Sequence, residues 1–275
     1  MANETQPSKV VNPYKTSLDA GNAYWMARLA KAVYTKKADG WPDTDKIQQD
    51  LQQEDPHFIR VTPANLNSSQ GILVEHKNYF AIAFRGTDEL KDWLDNFKLL
   101  PEKILFGEFH RGFWQATNDV WKLIEDYKFL KNTHKKPLFL TGHSLGGAMA
   151  TIAAARLIQE DHPFISCYTF GQPRTMMAET ARIFNMEAKF RFFRFQNSND
   201  IVTRIPARFM NYSHVGSYLY IDEDQKIYND IGFWYRFLDA VEGIVKDIPQ
   251  QGLESIKDHD MELYLAAVKN WECQF

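Results

Sequence analysis

A serine stands between a short apolar run and a helix-like run of small residues. Residues 137–158 read PLFLTGHSLGGAMATIAAARLI, and glycines at 142, 146 and 147 lie close to Ser144. The pattern Gly-x-Ser-x-Gly is typical of a nucleophile elbow, a strained turn from strand to helix that lifts the hydroxyl clear of its own backbone. Glycines avoid the clashes of such a turn, and the following helix directs its N-terminal dipole at developing negative charge. The stretch therefore predicts a nucleophilic serine rather than an incidental one in a glycine-rich turn.

Elbow enzymes carry an acid and then a histidine after the serine. An apolar run over residues 189–195 leads into Asn-Ser-Asn-Asp, which makes Asp200 the candidate acid. His259 is the candidate base, because it lies in a late segment that can fold back over a sheet, and His214 is the alternative. The side chain of His143 is expected to point elsewhere around the elbow. Weaker acids cluster in one charged loop: Asp222, Glu223, Asp224 and Asp230.

The elements that must position these residues alternate between strands and helices. Strand-like runs occupy residues 57–62, 71–77, 79–86, 138–140, 164–170, 189–195 and 215–221. Helical patterns occupy about 17–36, 43–54, 88–100, 112–130, 148–158, 175–187, 231–245 and 253–269. This alternation predicts an α/β fold with parallel central strands and an antiparallel opening hairpin. No repeat or linker divides the chain, so we expect one domain over residues 16–275 after a loose arm over residues 1–15.

Composition excludes several other classes of protein. The net charge is -3, which gives no basic face for nucleic acid. The two cysteines, Cys167 and Cys273, provide no disulfide framework. The N-terminus has no apolar signal-like region, and no window approaches the ~18 apolar residues of a membrane span. We expect a monomer without a transmembrane segment, of unknown localisation: cytoplasmic by default, or secreted after signal removal or by signal-free export.

Several motifs in a fixed order carry a resemblance to a known family. They are AFRGT, FHRGF, TGHSLGGAMA, YTFGQPR, NSNDIVTRIP, YSHVG and DHDMELYL. Through these motifs, residues 20–265 resemble the class 3 lipases, an α/β-hydrolase family that includes the filamentous-fungal triacylglycerol lipases. The resemblance implies a Ser144–Asp200–His259 triad and makes His214 a framework residue.

The oxyanion hole is expected from two places in the chain. Elbow enzymes use the N–H of the residue after the nucleophile, here Leu145, and a donor from an earlier strand–helix loop. The resemblance implies that Thr87, which ends the AFRGT motif, is that second donor. Thr87 can also cap the helix that follows it.

The helix after Thr87 resembles the family's lid, over about residues 88–98. Its apolar stripe at i, i+3, i+4 and i+7 consists of Leu90, Trp93, Leu94 and Phe97. An ordinary surface helix has the same pattern, so the position directly after Thr87 favours a lid. We expect it to cover the serine in water and to turn its apolar face to lipid on opening.

The chain departs from the best-known family members in three respects. Two distant cysteines make the disulfides of the secreted fungal lipases unexpected here. Thr203 stands where many relatives have a proline after the acid. The segment over residues 231–245 is unusually aromatic, and its apolar residues form either core, which we favour, or a second lipid-facing surface. Those residues are Phe233, Trp234, Phe237, Leu238 and Val241.

The sequence therefore predicts a carboxylic ester hydrolase, foremost a triacylglycerol lipase that acts at lipid–water interfaces through an acyl-enzyme. Its partners are a lipid or another ester and, transiently, a lipid surface; the mechanism requires no metal or organic cofactor. Alternatives on the same triad are a phospholipase A1 or galactolipase and a feruloyl-type esterase. The alternative from another class is a catalytically silent hydrolase fold that serves as a binding module. No motif specifies acyl-chain length or head group.

Overall fold

The structure is a computed structural model that describes residues 9–87, 100–229 and 256–272. The helices are α1 Ala20–Ala32, α2 Thr44–Glu54, α3 Arg111–Asp119, α4 Lys122–His134, α5 Leu145–Gln159, α6 Ala178–Ala188 and α7 Met261–Asn270. The first strands are β1 Phe58–Leu66, β2 Ser69–His76, β3 Phe80–Phe84, β4 Pro101–Ile104, β5 Gly107–His110 and β6 Leu138–His143. The later strands are β7 Ser166–Phe170, β8 Met176–Met177, β9 Phe192–Asn197, β10 Tyr212–Ser213, β11 Ser217–Ile221 and β12 Ile227–Asn229.

The main sheet has the order β1-β2-β3-β6-β7-β9-β11-β12. Its strands β3, β6, β7, β9 and β11 run parallel, whereas β1, β2 and β12 pair antiparallel at the two sides. The carboxyl ends of the parallel strands therefore meet at one edge of the sheet, where loops of an α/β fold carry functional side chains. The predicted mostly parallel sheet with an antiparallel opening hairpin is confirmed.

Helices cover both faces of this sheet because its central strands are buried on both sides. Side chains alternate along a strand, so Leu138 and Leu140 of β6 pack against α4 and α5 in one apolar cluster. Phe139, between them, packs in a second cluster with apolar residues of α1 and α7. The two clusters fix α5 and α7 on opposite faces, and both helices begin near the carboxyl edge of the sheet.

Helix α1 has a polar cap, and the chain before it is anchored. Asp19 accepts a hydrogen bond from the Asn22 N–H at 2.9 Å, as an N-cap residue does. The carbonyl of Lys9 accepts from the Trp25 indole at 2.7 Å, and the Asn12 N–H donates to Asn22 at 2.8 Å. Part of the expected loose arm over residues 1–15 is thus hydrogen-bonded to α1 from residue 9 onward.

The predicted long helix over residues 112–130 is divided into α3 and α4. At the junction, the N–H groups of Val120 and Trp121 bond to carbonyls three residues back, which tightens the chain into a turn. The Thr117 hydroxyl also donates to the Phe113 carbonyl at 2.8 Å, a side-chain bond that bends helices. Helical periodicity continues across this turn, so the pattern alone does not reveal it.

Three further features bear on the sequence predictions. A small second sheet of order β10-β8-β5-β4 was not predicted, since its strands are two to four residues long and lack a periodic signal. None of the described helices has the length and apolar character needed to cross a bilayer. The Cys167 thiol is buried and unpaired, and burial raises its pKa well above the ordinary value; Cys273 lies outside the described residues.

Candidate active site

Ser144 forms the turn between β6 and α5 in a strained backbone conformation. Its φ is 58° and its ψ is −130°, a region that residues other than glycine rarely adopt. The Ser144 N–H donates to the Phe170 carbonyl at the end of β7 at 2.9 Å, and the Gly147 N–H donates to the Ser144 carbonyl at 2.9 Å. The strained turn expected of a nucleophile elbow is thus present at this residue and is held by hydrogen bonds on both sides.

The glycines beside Ser144 allow close backbone contacts. A β-carbon at Gly142 would collide with the carbonyl of Gly146, the second residue of α5. A β-carbon at Gly146 would collide with the carbonyl of Phe84, the last residue of β3. The glycines therefore let α5 start directly against β6 and β3.

Asp200 and His259 meet although 59 residues separate them. The Nδ1 atom of His259 lies 2.8 Å from Oδ2 of Asp200, and the side chains are 5% and 0% exposed, respectively. A carboxylate only accepts, so Nδ1 of His259 donates this hydrogen bond, and Nε2 is the ring nitrogen that remains to face other groups. Oδ1 of Asp200 accepts from the Val202 N–H at 2.9 Å. The pair thus has the orientation that a general base requires.

Gly171 connects this pair to the elbow. Its φ is +57°, and a β-carbon there would lie 2.7 Å from Oδ2 of Asp200 and 2.8 Å from Nδ1 of His259. The residue before it, Phe170, accepts the N–H of Ser144. The carboxyl end of β7 therefore contacts the serine backbone and leaves room for the acid–base pair. The YTFGQPR motif contains this glycine, but its role was missed because it depends on chain segments far away in sequence.

Two side-chain atoms of the predicted triad have no hydrogen-bond partner among the described residues. They are the Ser144 hydroxyl oxygen and Nε2 of His259, both buried. A buried hydroxyl and a buried ring nitrogen normally find partners. Their unsatisfied state is typical of a site that completes its hydrogen bonds only when substrate binds.

His143 contacts His259 rather than pointing away from the site. The two rings pack with centroids 4.4 Å apart and an interplanar angle of 30°. Nε2 of His143 donates to the His259 carbonyl at 2.8 Å, and Nδ1 accepts from the Tyr34 hydroxyl at 2.9 Å. Burial, and secondly the nearby His259, hold the pKa of His143 well below its ordinary value. His143 is therefore a neutral support for the backbone of His259, and sequence reasoning assigned it no such contact.

A second set of contacts ties the loop of His259 to the loop of Asp200. The Asn197 side chain donates to the Asp258 carbonyl at 3.0 Å. The Asn199 N–H donates to Oδ2 of Asp258 at 3.0 Å. These bonds join the residues next to His259 and Asp200, so they limit changes in the distance between the acid and the base.

Tyr264 is a further partner of Asp200. Its hydroxyl donates to Oδ2 of Asp200 at 2.5 Å and accepts from the Asn197 N–H at 3.0 Å. Burial, followed by the Asp200 charge, raises the pKa of Tyr264 well above its ordinary value, so the hydroxyl keeps its hydrogen. The position of Tyr264 five residues after His259 in the DHDMELYL motif is a signal that sequence reasoning did not use.

The alternative base and acids occupy other environments. His214 donates through Nε2 to the Thr203 carbonyl at 2.8 Å, and the Thr203 hydroxyl donates to the Asp200 carbonyl at 2.8 Å. Burial, followed by the charge of Arg194, holds the pKa of His214 well below its ordinary value. Asp222 accepts from Lys226 and Tyr228 in the turn between β11 and β12. His214 thus supports the Asp200 loop through Thr203.

The loop that holds the expected oxyanion donor lies beside the elbow. A β-carbon at Gly86 would be 2.9 Å from Cβ of Ser144 and 2.8 Å from the His143 carbonyl. Thr87 follows Gly86 directly, and Leu145 is the first residue of α5. Both expected donors are therefore in segments that border the serine, and their role in holding an oxyanion remains a prediction.

The predicted lid lies outside the described residues. Residues 88–99 include Leu90, Trp93, Leu94 and Phe97, and residues 230–255 include the aromatic segment and Asp230. The lid and the packing of the aromatic segment therefore stay predictions.

Comparison with known proteins agrees with the fold and the motifs. Residues 81–210 match the family described as lipase (class 3). Secreted mono- and diacylglycerol lipase A of Penicillium cyclopium is 32% identical over 154 residues, 52% of this chain and 48% of that protein. Phospholipase A1-II 1 of Oryza sativa subsp. indica is 30% identical over 178 residues, 54% of this chain and 44% of that protein. The chain thus spans about half the length of the curated relatives it matches.

A solved structure supports the fold independently. The native Rhizomucor miehei lipase propeptide complex is similar with a TM-score of 0.61 at 21% identity, covering 80% of this chain and 78% of that chain. The chain therefore has the α/β-hydrolase fold, with a strained serine turn of the nucleophile-elbow type at Ser144. The match to the class 3 lipase family covers residues 81–210, slightly less than half of the chain. That range contains Ser144 and Asp200 but not His259.

Proposed function

We propose that this protein is a serine carboxylic ester hydrolase that cleaves acylglycerols, with Ser144, Asp200 and His259 as its catalytic triad. The observation that carries the proposal is the buried Asp200–His259 pair, with Nδ1 of His259 2.8 Å from Oδ2 of Asp200. This pair lies against Gly171. The preceding residue, Phe170, accepts the N–H of Ser144. Buried carboxylate, histidine and strained serine together make a nucleophile of an otherwise unreactive hydroxyl.

The proposed reaction begins with proton transfer from the Ser144 hydroxyl to Nε2 of His259. The serine oxygen then attacks the ester carbonyl carbon, and the carbonyl oxygen becomes an oxyanion held by the Leu145 N–H and by Thr87. As the tetrahedral intermediate collapses, the C–O bond to the alcohol breaks and His259 returns its proton to that alcohol. Water then gives a proton to His259 and attacks the acyl carbon, the C–O bond to Ser144 breaks to release the acid, and His259 returns the proton to the Ser144 oxygen. Asp200 orients the ring and stabilises its charged form throughout.

Lipid esters are the favoured substrates on two grounds. The relatives include a protein named mono- and diacylglycerol lipase, and the predicted lid stripe fits contact with a lipid surface. The rice relative, named phospholipase A1, favours diacyl phospholipid as the second candidate substrate. We also propose that the protein acts outside the cell, since the fungal relatives are named secreted, and that it acts as a monomer. Light scattering of the purified chain tests the last point.

The testing experiment is hydrolysis of tributyrin above and below its solubility limit, with Ser144→Ala as the blank. Ser217→Ala is the matched control, because Ser217 lies at the amino end of β11, away from the elbow. We expect hydrolysis by the parent and the control but not by the blank, with a rise in rate once droplets form. Dioleoyl phosphatidylcholine in the same assay tests the second candidate. No hydrolysis of either ester, together with no labelling of Ser144 by a serine-directed phosphonate, would overturn the proposal.

A further inference from the structure

Three metal-ligating side chains converge at the edge of the sheet opposite Ser144. Asp55 directly follows α2, His57 directly precedes β1, and His76 is the last residue of β2. One ligand atom of each lies within 4.8 Å of the corresponding atoms of the other two. Because β2 runs antiparallel to β3, its last residue lies beside the first residues of β3, away from the carboxyl edge. The cluster is therefore separate from the proposed active site.

We propose that Asp55, His57 and His76 bind a divalent transition-metal ion of the zinc type, with water in the remaining coordination position. Two imidazole nitrogens and one carboxylate oxygen are a donor set that suits zinc, and softer or purely oxygen-seeking ions fit it less well. Two of the ligands come from the loop between α2 and β1 and the third from the end of β2, so the ion would link the end of α2 to the β1–β2 pair.

The distances between the donor atoms are close to those that a bound ion needs. Nδ1 of His57 lies 2.8 Å from Oδ1 of Asp55, and Nε2 of His76 lies 3.2 Å from Oδ2 of Asp55. Ligand atoms on a tetrahedral zinc ion are separated by about 3.3–3.6 Å, given metal–ligand bonds of about 2.0–2.2 Å, so the donors would move slightly apart on binding. The ion would replace the two hydrogens that now bridge the histidines to the carboxylate.

The surroundings hold His76 in place and leave His57 accessible. The His76 ring stacks on Tyr79 with centroids 4.4 Å apart and meets the edge of Phe58 at 5.1 Å. The His57 side chain is 53% exposed, whereas that of His76 is 6% exposed. A fixed inner ligand beside an exposed outer one gives the ion a path from solvent to an ordered site.

Two neighbouring groups oppose the ion and limit its affinity. The Asn78 N–H donates to Nδ1 of His76 at 3.2 Å, so Nδ1 is unprotonated and the ring is neutral. Metal binding at Nε2 moves the ring hydrogen to Nδ1 and removes this contact, which the exposed Asn78 replaces with water. Lys136 donates to the His76 carbonyl at 3.0 Å, but Glu75 balances its charge at 2.9 Å. We expect binding weaker than that of a structural zinc site with four protein ligands.

The test is a titration of the chelator-treated full chain with Zn²⁺ by calorimetry, and with Co²⁺ by visible absorption, which reports tetrahedral coordination. The variants are His57→Gln, an exposed change, and Asp55→Asn, a nearly isosteric one. The matched control is His162→Gln, a partly exposed histidine outside the cluster. Because even an outer-shell partner contributes about tenfold to affinity, each ligand variant should raise the dissociation constant by at least about tenfold, and the control should not.

A second readout is thermal unfolding with and without Zn²⁺. A ligand that binds the folded state alone raises the melting temperature, so the parent and the control should shift upward and His57→Gln should not. Absence of saturable binding by the parent, or equal affinity in His57→Gln, would overturn the proposal. Binding that survives in His57→Gln and disappears after phosphonate labelling of Ser144 would also overturn it, since the ion would then lie at the elbow.

Discussion

The ring of His143 donates a hydrogen bond to the backbone carbonyl of His259 at 2.8 Å across 116 residues of sequence. The residue before the proposed nucleophile therefore supports the backbone of the proposed base. His143 contacts His259 in two ways, through the hydrogen bond from Nε2 to the His259 carbonyl and through the packing of the two rings. This relationship gives the first prediction.

Replacing His143 should impair the chemical step in a way that depends on the donor. His143→Leu removes the hydrogen bond, whereas the amide of His143→Gln can still donate to the His259 carbonyl. Since small misplacements of catalytic groups cost up to about a hundredfold, we expect kcat on a dissolved ester to fall about ten- to a hundredfold in the leucine variant and markedly less in the glutamine variant. Steady-state kinetics measure both, and equal losses in the two variants would contradict the positioning role.

A methyl group at Gly171 should disrupt the acid–base pair. Gly171→Ala combines the strain of a positive φ, about 1–2 kcal/mol, with a β-carbon within 2.8 Å of both Asp200 and His259. We expect kcat to fall by about a hundredfold or more. Gly40→Ala is the matched control, because Gly40 also has a positive φ but no neighbouring atom within 4 Å. If both variants are less stable but keep the kcat of the parent, the proposed contact has no catalytic importance.

Removing the Tyr264 hydroxyl should weaken both stability and catalysis. Tyr264→Phe takes one donor from Asp200 and leaves the Asn197 N–H without its acceptor. A buried group left unsatisfied costs about 1–3 kcal/mol, so the free energy of unfolding measured in urea should fall by that amount. We also expect kcat to fall about tenfold. Tyr127→Phe, a buried tyrosine in the cluster on the other face of the sheet, should leave kcat unchanged. Equal kcat in the two variants would show that Asp200 does not need this donor.

The cap of α1 should make stability depend on pH in the acid range. Burial opposes ionisation of Asp19, but its bonds to Asn22, Lys15 and Asn12 outweigh burial and lower its pKa below the ordinary 3.8. As pH falls, the Asp19 carboxyl therefore binds its proton at a higher pH in the unfolded chain than in the folded chain. The stabilisation that Asp19 contributes above pH 3.8 is lost as pH falls through its folded-state pKa.

In Asp19→Asn the cap remains but the titrating group is gone. The free energy of unfolding of the parent should therefore fall more steeply below pH 3.8 than that of the variant. Denaturant unfolding at a series of pH values measures both slopes, and parallel slopes would contradict the lowered pKa.

The lid prediction is tested by changing its apolar stripe. Trp93→Ser should reduce activity on emulsified ester about tenfold, since burying a large apolar side chain contributes about 1.5–3 kcal/mol, and should reduce activity on a dissolved ester less. Asp95→Ser, on a polar face of the same predicted helix, is the control. Equal losses of the Trp93 variant on the two substrates would exclude an interfacial role for the residue.

Much of the architecture and the three proposed catalytic residues could be predicted from the sequence. Apolar strands alternating with helices indicate an α/β sheet, and Gly-x-Ser-x-Gly identifies a strained turn because the steric conflict that needs glycine is local. Chain order reduces the candidates for acid and base to a few, including Asp200, His259 and His214, and the resemblance to the class 3 lipases favours Asp200 and His259. Each inference uses residues adjacent in sequence or a fixed order of elements.

Only the tertiary structure decided which side chains surround the triad and where the chain turns without a local signal. Tyr34, His143 and Tyr264 support His259 and Asp200 across separations of 64 to 116 residues. The division of the 112–130 helix depends on a hydrogen-bonded turn that leaves the apolar periodicity unchanged. The Asp55–His57–His76 cluster arises because strand pairing places His76 opposite Phe58. The backbone conformation is governed by neighbours in sequence, whereas these contacts depend on how separate elements pack, and no single segment encodes that packing.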